Sequence, residues 1–312
     1  MANWHDKRAT YTEAGETIVV GRPAFVANFY AFNGLIAHAR AAFDAWLALL
    51  PPKTEVWYSH GETKRYLKLT PKAVDKVLDA LSPTSIKKKY RWYMAKSVRP
   101  DAVDECHGFS FETFATIAGS YIYVTFPLDY VATQGAEAVA RWFCEWCERF
   151  EFTNADAGFG YEMGWFREME QPVGPLMLTT GLRYHGVRAW RRSHAAARGQ
   201  TMRSLDTAAW LTFVDSASIE LLEKGAIEAI DPAVTRIPCG SGVVLQAGPE
   251  PDPCDTNRRN SAYKLLKSVN DAIIPLRPTE WYLRGWGADR LHGQETDQDR
   301  ENRWFSRMDD NT

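Results

Sequence analysis

The residues best able to do chemistry are few. Cys144-Glu145-Trp146-Cys147 is a CxxC, the spacing of redox dithiols and of half a zinc site. It falls inside a helical pattern, on the face of Val139, Ala140, Phe143 and Phe150, so both thiols are expected to point into the core. No second CxxC or Cys/His pair nearby in sequence completes four ligands, and Cys106-His107 has no more support. Gly240-Ser241-Gly242 is too short for a phosphate-cradling glycine loop and precedes a strand, so it reads as a turn. His185 and His194, with Arg188, Arg191, Arg192 and Arg198, have the composition of a phosphate-reading face, but a solvated helix side accounts for them more simply. GxSxG, HExxH and P-loop patterns are absent from the sequence. Carboxylate pairs such as Glu168/Glu170 and Asp297/Asp299 occur as they would in any chain with 39 acidic residues. No catalytic residue, cofactor or metal ligand is therefore expected.

The elements that would position such residues follow from periodicity and turn chemistry. Thr17–Val20 and Ala24–Phe32 read as strands around a Gly21-Arg22-Pro23 turn. Ile36, Ala39, Phe43, Trp46, Leu47 and Leu50 recur at helical steps until Pro51-Pro52. Glu55–Tyr58 and Arg65–Leu69 look like short strands, and Pro71 opens a helix through Leu81. Ser82–Arg99 is basic and reads as a connector. A second hairpin, Phe109–Ile117 and Tyr121–Leu128, then precedes a helix over Gly135–Phe150. Gly21 and Gly119 stand 98 residues apart, and Leu50 and Phe150 stand 100 apart. These offsets suggest a duplicated hairpin-plus-helix unit, with sub-units at 12–99 and 100–312 inside one domain spanning 1–312.

Further on, Ala155–Tyr161 is a glycine-containing strand, Gly164–Pro175 a loop, and Val187–Arg198 a short helix. Trp210–Val214 and Gly242–Ala247 are strands, Ile219–Ala229 is a helix, and Ser261–Ile274 is an amphipathic helix. The tail Gln294–Thr312 is charged. Irregular alternation points to an α+β fold with a mixed or antiparallel sheet and packed helices.

Composition limits the function. With 45% hydrophobic and 24% charged residues the chain is globular, and a net charge of −2 argues against a dedicated nucleic-acid binder. The N-terminus has no signal-type apolar run and nothing resembles a membrane span. Five cysteines scattered over 312 residues fit a reducing compartment. A cytoplasmic protein without membrane contact is expected.

Leu182-Arg183-Tyr184-His185-Gly186, Trp210-Leu211-Thr212-Phe213, the run from Gly242 to Pro249, and Pro275-Leu276-Arg277 resemble blocks of the type VI secretion immunity family typified by TsiV proteins. Gln246-Ala247-Gly248-Pro249, followed by Asp255 and Asn257-Arg258, is the most specific block. Cys254 stands where the family pattern has glycine, and Trp304-Phe305-Ser306-Arg307-Met308 matches the family ending in part. The resemblance implies an inhibitor of a secreted antibacterial toxin, commonly a nuclease effector, that acts by binding and not by catalysis. Covering a basic nuclease cleft calls for acidic and aromatic side chains. Tyr161, Glu162, Trp165, Phe166, Glu168 and Glu170 supply that mix and are the expected toxin contacts. Two alternatives stay open: a hydrolase of unrecognised type, and a nucleic-acid-binding module using Lys87–Arg99 and Arg188–Arg198 with Tyr90, Trp92, Tyr93 and Trp190.

Overall fold

The computed structural model describes residues 4–13, 15–32, 35–60, 66–80, 91–97, 107–114, 119–163, 176–177, 179–188, 205, 207–277, 303–304 and 306–309. Its centre is one antiparallel sheet of eleven strands. In chain order these are β1 (Ala9–Glu13), β2 (Glu16–Phe32), β3 (Trp57–His60), β4 (Leu67–Lys68), β5 (Arg91–Lys96), β6 (Gly108–Phe114), β7 (Gly119–Phe126), β8 (Asn154–Met163), β9 (Leu211–Asp215), β10 (Thr235–Cys239) and β11 (Gly242–Gln246). Spatial order is β10-β11-β9-β8-β2-β7-β6-β5-β3-β4, with β1 paired to β2. Helices include α1 (Leu35–Ala48), α2 (Pro71–Ala80), α3 (Tyr130–Gln134), α4 (Ala136–Arg149), α5 (Ser216–Ile219) and α6 (Ser261–Ile273), and residues 179–183 are helical too. The α+β expectation holds.

Several local expectations do not. Residues 16–32 form one strand with no turn at Gly21-Arg22-Pro23; the hairpin turn lies earlier, between β1 and β2. Pro23 is tolerated because pairing with β7 starts only at Phe25, so one side of the strand has no ladder there. Opposite Pro23 stands Tyr161, whose carbonyl accepts from the Tyr123 hydroxyl at 2.6 Å. The repeat inferred from Gly21 and Gly119 thus loses one anchor, although α1 and α4 are both 14 residues long. Within the basic connector, residues 91–96 form β5, wedged between β3 and β6. The helix expected over 219–229 shrinks to the four residues of α5 followed by turns, with Gly225 at φ +86°. Thr235–Cys239, a strand not anticipated above, is β10 at the sheet edge, where the missing N–H of Pro238 costs little. It pairs with β11 through the Gly240-Ser241 turn, Gly240 at φ +53°.

One face of the sheet is apolar. Phe25, Ala27, Phe29 and Ala31 of β2, Phe109 and Phe111 of β6, Ile122, Val124 and Phe126 of β7, and Ala155 and Ala157 of β8 pack beneath α1 and α4. The α4 pattern explains its docking: Val139, Ala140, Trp142, Phe143, Trp146 and Cys147 fall at three- and four-residue steps on one side. Glu137 in its first turn and Arg149 in its last suit the helix dipole. Phe29 sits among Trp142, Phe143, Trp146 and Phe152 at ring-centroid distances of 6.3, 5.2, 5.2 and 4.8 Å.

The opposite face changes character along its length. Toward β9–β11, Val214 and Leu245 meet Leu266, Val269 and Ile273 of α6, as its periodicity predicts. Asn260 caps that helix, accepting from the Tyr263 N–H at 3.0 Å. Over β2 and β5–β8 the same face is buried and mixed: Arg22, Asn28, Lys96, Ser110, Thr125, Asp156 and Glu162, all under 9% exposed, surround a small cluster of Ala24, Val26, Tyr30, Tyr121 and Tyr123. Lys96 of β5 pairs with Glu162 of β8 although β6, β7 and β2 lie between them. Four strand spacings in a flat sheet are roughly 19 Å, beyond the joint reach of these side chains, so the sheet curls toward its polar face.

Candidate functional site

The expected toxin contacts begin near the end of β8. Tyr161 is fully buried; its hydroxyl donates to Thr180 Oγ1 at 2.9 Å, and burial pushes its pKa up to about 12. Glu162 is 2% exposed and held by Lys96. These two residues root the segment that follows and present no free surface. Trp165, Phe166, Glu168 and Glu170 lie outside the described residues.

Sequence reasoning missed the buried network behind that root. Asp156 accepts from Asn28 Nδ2 at 2.7 Å and from Arg188 Nη2 at 2.8 Å. Arg188 also donates to the Thr207 carbonyl and hydroxyl at 2.9 and 2.7 Å. Arg307 reaches the same hydroxyl at 3.2 Å and lies 3.4 Å from the Trp304 ring centroid. A carboxylate in the small-residue strand Ala155-Asp156-Ala157-Gly158 was the available signal: a charge there must be paired, because an isolated one is too costly to bury.

The same network corrects the phosphate-face and solvated-face readings. Arg188 is 3% exposed and His185 is 5% exposed. Arg188 follows β8, its N–H donating to the Phe159 carbonyl at 2.6 Å, so no helix begins at Val187. Burial and the Arg307 charge drive the His185 pKa down to about 3, and its Nδ1 has no hydrogen-bond partner among the described residues. Residues 189–200 lie outside the described set. For the nucleic-acid alternative, Lys96 and Arg188 are thus withdrawn from solvent by carboxylates.

The blocks that carry the family resemblance meet in space. Arg183 pairs with Asp255 at 3.2 Å, and Tyr184 bridges to Asp255. A Cβ at Gly186 would stand 2.0 Å from the Asp252 carbonyl oxygen, and one at Gly242 would stand 2.3 Å from that of Val214. Trp210 Nε1 donates to the Gly248 carbonyl at 3.0 Å, and Arg277 holds Asp309 through two bonds of 2.9 and 3.0 Å. Cys254 has φ +52°, the backbone region that favours the glycine expected there. These residues knit distant segments of the chain together and identify a scaffold.

Among the described residues, no group of three His, Cys, Asp or Glu side chains is placed to hold a metal ion. No described helix is long and apolar enough to cross a membrane. The CxxC does acquire a neighbour: Cys239, at the end of β10, lies against Cys144 and Cys147. Among the described residues, the large apolar side chains most exposed are Leu67, Leu221 and Ile274; Leu221, 60% exposed, stands beside the exposed acids Glu220 and Glu223.

A family model described as TsiV, type VI immunity for VRR-NUC, matches residues 42–308. No curated protein matches the chain in sequence. Among solved structures, the Pseudomonas aeruginosa T6SS protein PA0821 superposes with a TM-score of 0.73 at 17% identity, covering 97% of this chain and 88% of that one, which establishes a shared fold. With the family model spanning most of its length, this chain belongs to the TsiV family of type VI immunity proteins.

Proposed function

We propose that this immunity protein neutralises its cognate VRR-NUC toxin by covering the toxin's active cleft, as a stoichiometric partner and without turnover. Family membership over residues 42–308 is the observation that supports the reading. A nuclease cleft must be basic to hold phosphate, so an inhibitor gains encounter rate from acidic residues and affinity from a few buried aromatics. Trp165, Phe166, Glu168 and Glu170 follow the firmly rooted end of β8 and are the proposed contacts, with Tyr161 and Glu162 fixing where that segment leaves the sheet. A DNA-degrading toxin threatens the cell where its DNA is, which makes the cytoplasm the proposed site of action.

Co-expression with the toxin encoded beside its gene tests the proposal. Survival, co-purification and nuclease inhibition that saturates at one chain per toxin are expected. Inhibition at far lower ratios would indicate catalytic inactivation and overturn the binding mechanism. Trp165→Ala with Glu168→Lys is expected to weaken the complex about 30-fold or more, the size of a hot-spot loss. An unchanged affinity there, with loss on Leu221→Ser and Glu223→Lys instead, would move the interface to the turn after α5.

A further inference from the structure

Cys144 and Cys147 lie one turn apart on α4, and Cys239 ends β10, a strand at the open edge of the sheet. The two elements are locked together at this point. Cys239 Sγ donates to the Cys144 carbonyl at 3.0 Å, and Cys144 Sγ points to the Pro238 carbonyl at 3.8 Å. A Cβ on Gly240 would stand 3.2 Å from Cγ and 3.4 Å from Cα of Glu148, so the turn after Cys239 rests directly on α4. All three thiols are free. Cys147 and Cys239 are buried, while Cys144 is partly open to solvent and gives the cluster a way in for a small reagent.

We propose that these three cysteines form a peroxide-responsive modification site, in which oxidation at Cys239 closes a disulfide to the α4 CxxC and staples the edge strand to the helix. The chemistry of the cluster selects Cys239 as the first thiol to react. The neighbouring Cys147 thiol, and then that of Cys144, lower its pKa against the effect of burial. Burial, with the Cys239 sulfur beside them, raises both partners, Cys144 to about 12. The thiolate is the nucleophilic form, and an adjacent protonated thiol is the natural resolving group. Hydrogen peroxide is the oxidant. The Cys239 sulfur takes one hydroxyl as the O–O bond breaks, giving a sulfenic acid and hydroxide, which becomes water on protonation. A sulfur of α4 then attacks the sulfenic sulfur, and the hydroxyl leaves as a second water. Two thiols lose two electrons and one peroxide becomes two waters. A bond from Cys239 back to Cys144 or Cys147 closes a long loop through β8 and β9, so it restricts the unfolded chain far more than an intrahelical bond could.

The reduced full-length chain, treated with hydrogen peroxide, alkylated and mapped by non-reducing peptide mass spectrometry, decides the matter. The expected product joins the Cys239 peptide to the Cys144/Cys147 peptide, and Tm rises by roughly 5–10 °C, reversibly with dithiothreitol. Buried Cys254 stays reduced in the same sample. Cys239→Ser removes both the cross-link and the shift. If that variant fails to fold, the peptide map of the native chain still decides. A Cys144–Cys147 disulfide, overoxidation of Cys239 without a cross-link, or an unreactive Cys239 beside a reactive Cys254 would each overturn the proposal.

Discussion

The two faces of the sheet are both buried, but different physics holds them. Under α1 and α4 the contacts are aromatic and aliphatic, and no single partner is indispensable: Phe29 alone has four rings around it. Over β2 and β5–β8 a small cluster around Val26 and Tyr121 is joined by buried charged and polar side chains, and these depend on named partners: Asn28 and Arg188 on Asp156, Lys96 on Glu162. Apolar burial is non-directional and degrades gradually, whereas a buried charge is tolerable only while its counter-charge is in place. The apolar face therefore supplies bulk stability. The polar face fixes the curl of the sheet and the geometry of the β8 end, from which the proposed toxin contacts depart.

Double mutants expose the difference most strongly. Phe29→Ala is expected to cost about 4 kcal/mol in urea unfolding, and adding Phe143→Ala costs more, since each truncation removes area and leaves a cavity. Asp156→Ala is expected to cost about 3–5 kcal/mol because Arg188 is left buried without its carboxylate. Asp156→Leu combined with Arg188→Met, in contrast, should regain more than half of that loss, since removing both charges removes the unmet desolvation. If the polar pair showed no recovery and its two losses simply summed, the distinction between the faces would fail.

The same contrast decides what could be read from the sequence. The apolar face was legible because it repeats: Phe43 and Trp46 on α1, the stripe on α4, and Tyr263, Leu266, Val269 and Ile273 on α6 stand where periodicity puts them. The polar face consists of pairs between residues far apart in the chain. Asn28 and Asp156 are 128 positions apart, and Lys96 and Glu162 are 66 apart, so no local pattern announces them. Arg188 looked solvated because its neighbours are basic, and Tyr161 and Glu162 looked like partner contacts because they lead into an acidic and aromatic run. Strand β5 was hidden for a related reason, its ends being Arg91 and Lys96 beside a lysine run. Glycine misled once: Gly21 with Pro23 has turn chemistry, but strand pairing to β8 on one side overrides it. The Cys239 partner of the CxxC was out of reach, since Pro238 concealed the strand that carries it.

Acid should act through the polar side more gently than mutation does. In the folded chain burial, helped by the Arg307 and Arg259 charges, holds His185 near pKa 3 against an ordinary value of 6.5. The unfolded chain thus takes up a proton below about pH 6.5 that the folded chain refuses. The stability tied to neutral His185 is complete above pH 6.5 and is lost as pH falls toward 3, at up to about 1.4 kcal/mol per pH unit. His107, also lowered by burial, acts in the same direction. His185→Gln should therefore flatten part of the acid slope, leaving the variant about 2 kcal/mol less affected than the parent between pH 7 and pH 5. Parallel urea midpoints for parent and variant across that range would remove His185 from the account.

The smallest effect lies where neither face decides, at Cys254. Its φ of +52° places an L side chain in the left-handed region, at a cost of about 1–2 kcal/mol that glycine does not bear. Its side chain is nevertheless 2% exposed and packs in the α6 cluster, so removal forfeits apolar burial of about 1 kcal/mol. Cys254→Gly should therefore change stability by less than about 1 kcal/mol, the backbone relief offsetting the lost packing. Cys254→Ala keeps the strained backbone while losing the sulfur, and should be the less stable of the two. A glycine variant that fell well below the alanine one would show that side-chain packing, not backbone strain, governs this position. It would then also remove the physical reason for the glycine that the family pattern carries there.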